Sequence, residues 1–264
     1  MINYSKLKRK EEKRQKEIDD LKSQITSLER KVVILEELKH DIGRFANLVL
    51  TASENLNHLI INDFKKNMIE EAASTILHTT SMISPRIIYS DMELSNGQMQ
   101  SGARFSSGVY KKFDKSKRIL RRIASQRSIK INFHNPSQHT IQSLTSFDMV
   151  PFIILENAVK YSPTGGEVNV TFDENKIDNS NKKLEVTISS IGPYIEEEEL
   201  KQITQRGFRS KSPKVRTISG QGLGLYIAEN ICLFHEIQIS FSSRYQLDID
   251  NIKYGVFTAT LNFK

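Results

Sequence analysis

Ile18, Leu21, Ile25, Leu28, Val32 and Leu35 recur at alternating steps of three and four residues, and no proline or glycine interrupts the chain before Gly43. An apolar repeat that averages three and a half residues is the seam of a coiled coil, here flanked by Lys, Glu and Arg. Continued, the frame puts Ile42, Ala46 and Val49 on the same seam and predicts one helix to about Leu59. So narrow a stripe on a charged helix cannot bury itself. It needs a partner helix, and a parallel second copy of the chain is the simplest. The polar stretch Asn62–Asn67 predicts a turn. A second helix is then expected from Met68 to about Leu94, on the spacing of Ile69, Ala72, Ala73, Ile76, Leu77 and Thr80, with Pro85 as an interruption. A coiled coil leading into an amphipathic hairpin predicts a dimeric four-helix bundle.

Ser95 to Gly108 is rich in Gly and Ser and reads as a linker. Beyond it the periodicity becomes mixed. Asp114 to about Gln126 predicts a basic helix, Phe147–Lys160 an apolar helix and Gln221–Phe234 a third. Strands are expected at Ile129–Phe133, Glu167–Phe172, Leu184–Ile188, Ile237–Phe241 and Gly255–Phe263, with Asp173–Lys183 as a polar turn. The class is α+β: an N-terminal coiled coil and antiparallel helical hairpin, followed by an α/β sandwich of one mixed sheet under a layer of helices.

Composition excludes several alternatives. The 264 residues are 38% hydrophobic, with a mean hydropathy of −0.42, and no run approaches the ~20 apolar residues of a membrane span. The basic start lacks an apolar stretch after it, so no signal peptide is expected. The single cysteine, Cys232, lies in an apolar run and permits no disulfide within one chain. These features predict a cytoplasmic protein. The net charge is +7, and residues 1–17 hold seven Lys/Arg against three Glu. No aromatic residues interleave those lysines, which favours a solvated helix face over a nucleic-acid site.

Two short segments carry chemistry. In Glu156-Asn157-Ala158-Val159-Lys160-Tyr161 an amide lies about one helical turn from a lysine and beside an aromatic ring. The amide oxygen can ligate Mg²⁺, and the lysine is a point charge for phosphate. In Gly220-Gln221-Gly222-Leu223-Gly224-Leu225 a glycine cluster opens an apolar helix, where backbone N–H groups can close on phosphate. Together they describe a Mg-ATP site, and no Walker loop is present. A third feature is His40-Asp41. His40 falls at a b position of the heptad frame and is expected to face solvent near the start of the bundle. An exposed imidazole beside a carboxylate suits a nucleophile whose second N–H is held by the acid.

From about Phe105 to Lys264 the chain resembles the ATP-binding domain of the GHKL superfamily, the gyrase-type ATPases and histidine kinases. Leu155–Ser162 is most similar to the asparagine box of sensor histidine kinases, and Glu37–Ile42 resembles their phospho-acceptor box. The resemblance implies ATP-dependent autophosphorylation of His40 and transfer to an aspartate on the receiver domain of a response regulator. It implies Asn157 as the Mg²⁺ ligand, Lys160 on phosphate, and Tyr161 near the nucleotide. Gly220, Gly222 and Gly224 would form the turn over the phosphates, with Leu223 and Leu225 packing its helix on the sheet. Ser190 and Gly192 would fall in the adenine pocket. The basic stretch Gln205–Lys214 reads as a lid, and within it Arg209 matches the residue that meets the terminal phosphate. Asp41 would orient or deprotonate the imidazole. The signal would enter the homodimer through the coiled coil, from an upstream sensor protein or domain.

Some positions depart from the family pattern. Ser190 stands where an aspartate usually accepts the adenine amino group, and Tyr194 where a second glycine is usual. Ile153 replaces the asparagine or catalytic glutamate found four residues before Asn157, which argues against fast ATP hydrolysis. Arg44 stands four residues after His40, where kinases that also dephosphorylate their partner usually place Asn or Thr, and is followed by Phe45 where proline is common, which argues against phosphatase activity. A nucleotide-binding scaffold and a slow GHKL ATPase therefore stay open as rival readings. The expected divisions are a signalling helix over 1–38, a dimerisation and phosphoacceptor hairpin over 39–98, and the ATP-binding domain over 99–264.

Overall fold

The computed structural model describes residues 4–62, 66–95, 102–178, 181–212, 215, 222–249 and 251–263. Helix α1 spans Tyr4–Asn62 without a break and α2 spans Lys66–Leu94. Residues 63–65 of the turn expected over Asn62–Asn67, residues 96–101 of the expected linker, Gly220 and Gln221, and Pro213 and Lys214 of the expected lid lie outside the described residues, while Asn62 closes α1 and Lys66 and Asn67 open α2. The position between 38 and 39 falls inside continuous helix.

Helices α1 and α2 pack as an antiparallel hairpin. From α1 the buried residues are Ile34, Asp41, Phe45, Ala52 and Leu59, spaced by sevens and fours so that they share one face. From α2 they are Ala72, Thr79, Arg86, Tyr89, Ser90, Met92 and Glu93. The heptad seam read from the sequence is a different face. Ile18, Leu21, Ile25, Leu28, Val32 and Leu35 all remain exposed, Leu28 to 60%. The helix runs through Pro85 rather than ending there, at the cost of the backbone hydrogen bond that proline, lacking an N–H, cannot donate.

The second unit opens with strand β1 (Phe105–Gly108), paired antiparallel with β3 (Thr140–Ser143) in a small sheet. The expected linker therefore ends in a strand. Its Ser/Gly composition hides it, because the pairing is carried by backbone and shows no apolar alternation. Helix α3 (Val109–Gln126), α4 (Met149–Tyr161) and α6 (Gly224–Phe234) form the helical layer, with a short α5 at Glu197–Leu200. The main sheet has the order β2-β4-β5-β7-β6, formed by Lys130–His134, Glu167–Asp178, Asn181–Pro193, Ile252–Phe263 and Gln238–Ile249. Among the described residues, β2 and β4 are the parallel pair and the other neighbours are antiparallel. The stretch expected to be a turn after Phe172 instead continues β4 and β5, with Asp173 opposite Glu185 and Lys176 opposite Lys182. These ribbons extend by cross-strand backbone bonds, which a hydropathy pattern does not reveal.

The core lies between the sheet and α3, α4 and α6. Val168, Val170 and Phe172 of β4, Leu184, Val186 and Ile188 of β5, and Ala259, Leu261 and Phe263 of β7 face it at every second position. Val109, Phe113, Leu120 and Ala124 of α3 close it from above, as does nearly the whole apolar run Val150–Leu155 of α4. Among the described residues no helix is long and apolar enough to cross a membrane.

Cys232 is fully buried on α6, and its thiol is pushed up from 9.0 to about 12 by burial, with a smaller push from Glu229. A group whose folded value lies above its unfolded value contributes fully below the unfolded one and loses that contribution as pH climbs toward the folded one. The native protein is therefore expected to resist iodoacetamide at pH 8 and to react only when urea opens the core. Rapid alkylation of the native protein would contradict this packing.

Candidate nucleotide and phosphoacceptor site

Helix α4 presents the asparagine segment, and both of its ends are tied down. At the first turn Lys112 and Lys115 of α3 pair with Asp148. Burial alone would raise that carboxyl, but the two lysines hold it below the usual range. At the last turn the Arg127 guanidinium donates to three carbonyls, those of Val159 and Lys160 at 2.5 and 2.7 Å through Nη1 and that of Ser162 at 2.6 Å through Nη2. These are carbonyls that a helix end leaves without intrahelical partners. Glu156, beside Asn157, meets His78 of α2 at 3.3 Å, which ties the site to the hairpin.

The glycine segment closes on α4 at close range. A Cβ added at Gly224 would sit 3.2 Å from Ile153 Cγ2 and 3.6 Å from the Asn157 Nδ2. The first turn of α6 thus lies directly beside the asparagine amide; a helix start leaves its first N–H groups without intrahelical partners. Gly222 has φ +71, and a Cβ there would meet the Phe208 carbonyl oxygen at 2.5 Å. The Gly207 N–H donates to the Gly222 carbonyl at 3.1 Å. Glycine is needed at 222 for both reasons, conformation and space.

Lys160 and Tyr161 end α4 within this region. Burial pushes the Lys160 ammonium below its ordinary range, against Glu156, which raises it, and together with Arg209, which lowers it further. Burial raises the Tyr161 phenol, partly offset by Arg209. The Arg209 guanidinium donates to the Val215 carbonyl at 2.5 Å. Gly192 on β5 lies beside Tyr161, with the carbonyl of Tyr161 3.7 Å from an added Cβ. Ser190 follows the same alternation as Ile188 and is buried on the helix-facing side of the sheet. Tyr194 turns away toward the β6–β7 ribbon, edge-on to Tyr245 at 5.9 Å. Leu223 and Leu225 lie partly buried at the start of α6.

His40 is 79% exposed on α1, as its heptad position predicts. Asp41 is buried beside it, but its carboxylate stands 3.7 Å from His40 Nδ1, beyond hydrogen-bond range. That carboxylate is instead paired with Arg86 of α2, Oδ2 to Nε at 2.7 Å. Arg86 also meets Glu37 at 3.2 Å and lies over the Tyr89 ring. Arg44 is exposed over Phe45, which fills the hairpin core. His40, Asp41, Arg86, Tyr89, Arg206 and Leu223 line one open cleft of about 650 Å³. The exposed histidine and the residue between Gly222 and Gly224 therefore face one space. Sequence reasoning missed Arg86, Arg127 and Arg206, because a single arginine in a charged or loop segment carries no periodic signal.

Residues 148–261 match the family of histidine kinase-, DNA gyrase B-, and HSP90-like ATPases. The chain is 26% identical over 240 residues to the histidine protein kinase SaeS of Staphylococcus aureus (strain USA300), covering 89% of this chain and 65% of that one. Over residues 148–261 the chain is similar to the GHKL-type ATPase domain, and over 240 residues it is similar to a histidine protein kinase. Among solved structures, the mycobacterial sensor histidine kinase MprB is similar at 25% identity and a TM-score of 0.46, over 60% of this chain and 97% of that one. Full-length ShkA, solved in complex with AMPPNP, aligns over 87% of this chain and 46% of that one at 13% identity and a TM-score of 0.50. The chain spans 65% of the length of the curated SaeS kinase it matches. The match to a GHKL-type ATPase domain over 148–261 implies ATP binding.

Replacing Gly222 with alanine forces a side chain into a left-handed backbone against Phe208, at a cost of about 1–2 kcal/mol before the clash is counted. Gly222→Ala is expected to weaken ATP binding at least ~10-fold by calorimetry, since about 1.4 kcal/mol is a factor of ten. Gly43→Ala, where nothing lies within 4 Å, is expected to bind as wild type does.

Proposed function

We propose that this chain is the catalytic core of a homodimeric histidine kinase. In this reading ATP is bound between α4, α6 and the end of β5, and phosphorylates His40. The phosphoryl group then passes to an aspartate on a response-regulator receiver domain. The observation that carries the reading is the single cleft holding both exposed His40 and Leu223, next to the glycine that abuts Asn157.

The donor set fits Mg²⁺ held in part by Asn157 and in part by substrate phosphates and water. Bound there, the ion would neutralise charge on the phosphates. Lys160 and Arg209 supply positive charge from the protein side, and the backbone N–H groups at the start of α6 supply fixed donors. Ser190 and Gly192 border the adenine, where a hydroxyl accepts a weaker bond than a carboxylate would. In the transfer a ring nitrogen of His40 attacks the γ-phosphorus, and the bond from that phosphorus to the bridging oxygen breaks. ADP leaves with the electron pair. His40 Nδ1 faces Asp41, so Nε2 is the outward nitrogen. Closing the 3.7 Å gap lets the Asp41 carboxylate hold the Nδ1–H and stabilise the imidazolium that forms.

The exposed heptad seam of α1 supports a parallel dimer, since six large apolar side chains have no cover within one chain. The division into signalling helix, phosphoacceptor hairpin and ATP-binding domain follows from the same roles. An upstream sensor would act through the coiled coil, and the residues around the site fit a cytoplasmic kinase using cellular ATP.

The test is incubation with γ-labelled ATP and Mg²⁺. Wild type is expected to acquire an acid-labile, base-stable label that is absent from His40→Gln and Asn157→Ala. ATP binding without any label would instead favour a nucleotide-binding scaffold, and steady phosphate release without label would favour a slow ATPase.

A further inference from the structure

The hairpin and the ATP-binding unit are joined within one chain by an ionic node, a buried carboxylate whose two arginine partners reach it from the surface, Arg206 being 45% and Arg30 65% exposed. Glu93 of α2 has only 6% of its side chain exposed. It accepts Arg206 at 2.9 Å and Arg30 of α1 at 3.0 Å. The Arg206 guanidinium also lies over the Tyr89 ring at 5.5 Å, and Tyr89 is set edge-on against Tyr226 of α6 at 6.4 Å. The residue after Arg206 is Gly207, whose N–H reaches the Gly222 carbonyl. A short mechanical path thus runs from Glu93 through Arg206, Gly207 and Gly222 to the glycine beside Asn157.

A carboxylate this buried is costly unless paired, so breaking its contact with Arg206 is opposed by the remaining charge. The path ends in the cleft where the same chain's His40 is exposed. A partner's ATP-binding unit approaching that histidine would find the cleft already walled by Arg206, Gly207 and Leu223 of this one.

We propose that phosphoryl transfer to His40 occurs within one chain, and that the Glu93–Arg206 ion pair is the clamp that positions the nucleotide domain for it. The proposal rests on the reading of His40 as acceptor and Asn157 as nucleotide ligand. Arg206 is a positioning residue: it acts through the lid junction and the glycine turn. The reaction is the one written above, with donor and acceptor on one polypeptide.

The test uses full chains carrying two different affinity tags, co-expressed and purified through both tags. One carries His40→Gln and the other Asn157→Ala, with Asn157→Asp as the second variant should the first fail to fold. Transfer within one chain predicts no label on this mixed species, whereas wild type paired with His40→Gln labels at about half the wild-type level. Label on the mixed double-variant species at about half the wild-type level overturns the proposal and leaves the kinase reading intact. Failure of wild type to label at all overturns the kinase reading, and this proposal with it. For the clamp, Arg206→Met is expected to slow labelling at least tenfold with an unchanged Kd for ATP, and Arg206→Lys to restore most of the rate. Wild-type labelling by Arg206→Met overturns the clamp.

Discussion

The close approach of α6 to α4 is the constraint on which the rest of the site depends. Gly224 has no Cβ, so the first turn of α6 comes within van der Waals contact of Ile153 and Asn157. That contact puts the start of one helix next to an amide on another, whose last carbonyls are gathered by Arg127. Gly222 makes the approach possible by turning the chain through a left-handed conformation under the Phe208 carbonyl. Every other member of the site is positioned relative to this junction. Lys160 and Tyr161 follow on α4, Gly192 packs against Tyr161, and the Arg206–Gly207 step is hydrogen-bonded to Gly222.

The hairpin is organised by a different balance. Its interior is apolar at Ile34, Phe45, Ala52 and Leu59, yet at its centre lies Asp41 paired with Arg86, and nearer its open end Glu93 paired with Arg30 and Arg206. A buried ion pair such as Asp41–Arg86 adds little stability over apolar packing but is intolerant of losing one partner, and so fixes register between α1 and α2. Glu93 is a buried carboxylate that needs a cation, and its half-exposed partner Arg206 ties the ATP-binding unit to the hairpin. The two units meet where the phosphoryl donor and acceptor would meet.

Much of this was legible in the sequence, because the informative residues sit in periodic or compositionally marked segments. The heptad seam predicted α1 almost to its end, and its exposure in one chain follows from the same pattern. The asparagine and glycine segments were recognisable from residue type and order, and the fold brings Asn157 and Gly224 together. What escaped was carried by backbone pairing or by isolated side chains. Strand β1 has the composition of a linker, and the distal halves of β4 and β5 that of a turn. Arg86, Arg127 and Arg206 matter through partners distant in sequence. The His40–Asp41 neighbourhood shows the same limit: adjacency suggested a bonded pair, whereas tertiary packing commits the carboxylate to Arg86.

The departures at Ser190 and Ile153 weaken two features of a GHKL site without dismantling it. Ser190 keeps a hydrogen-bonding group on the helix-facing side of β5, and Ile153 fills the space against Gly224 with a methyl group where a base would otherwise stand. The central claim is that the Asn157–Gly224 junction is a Mg-ATP pocket. Calorimetric titration of ATP into the full chain, with Mg²⁺ and with chelator, tests it most directly, for wild type beside Asn157→Ala. The account predicts Mg²⁺-dependent binding to wild type and at least a tenfold loss in Asn157→Ala. Binding that is absent, or that ignores both Mg²⁺ and the Asn157 substitution, would contradict it.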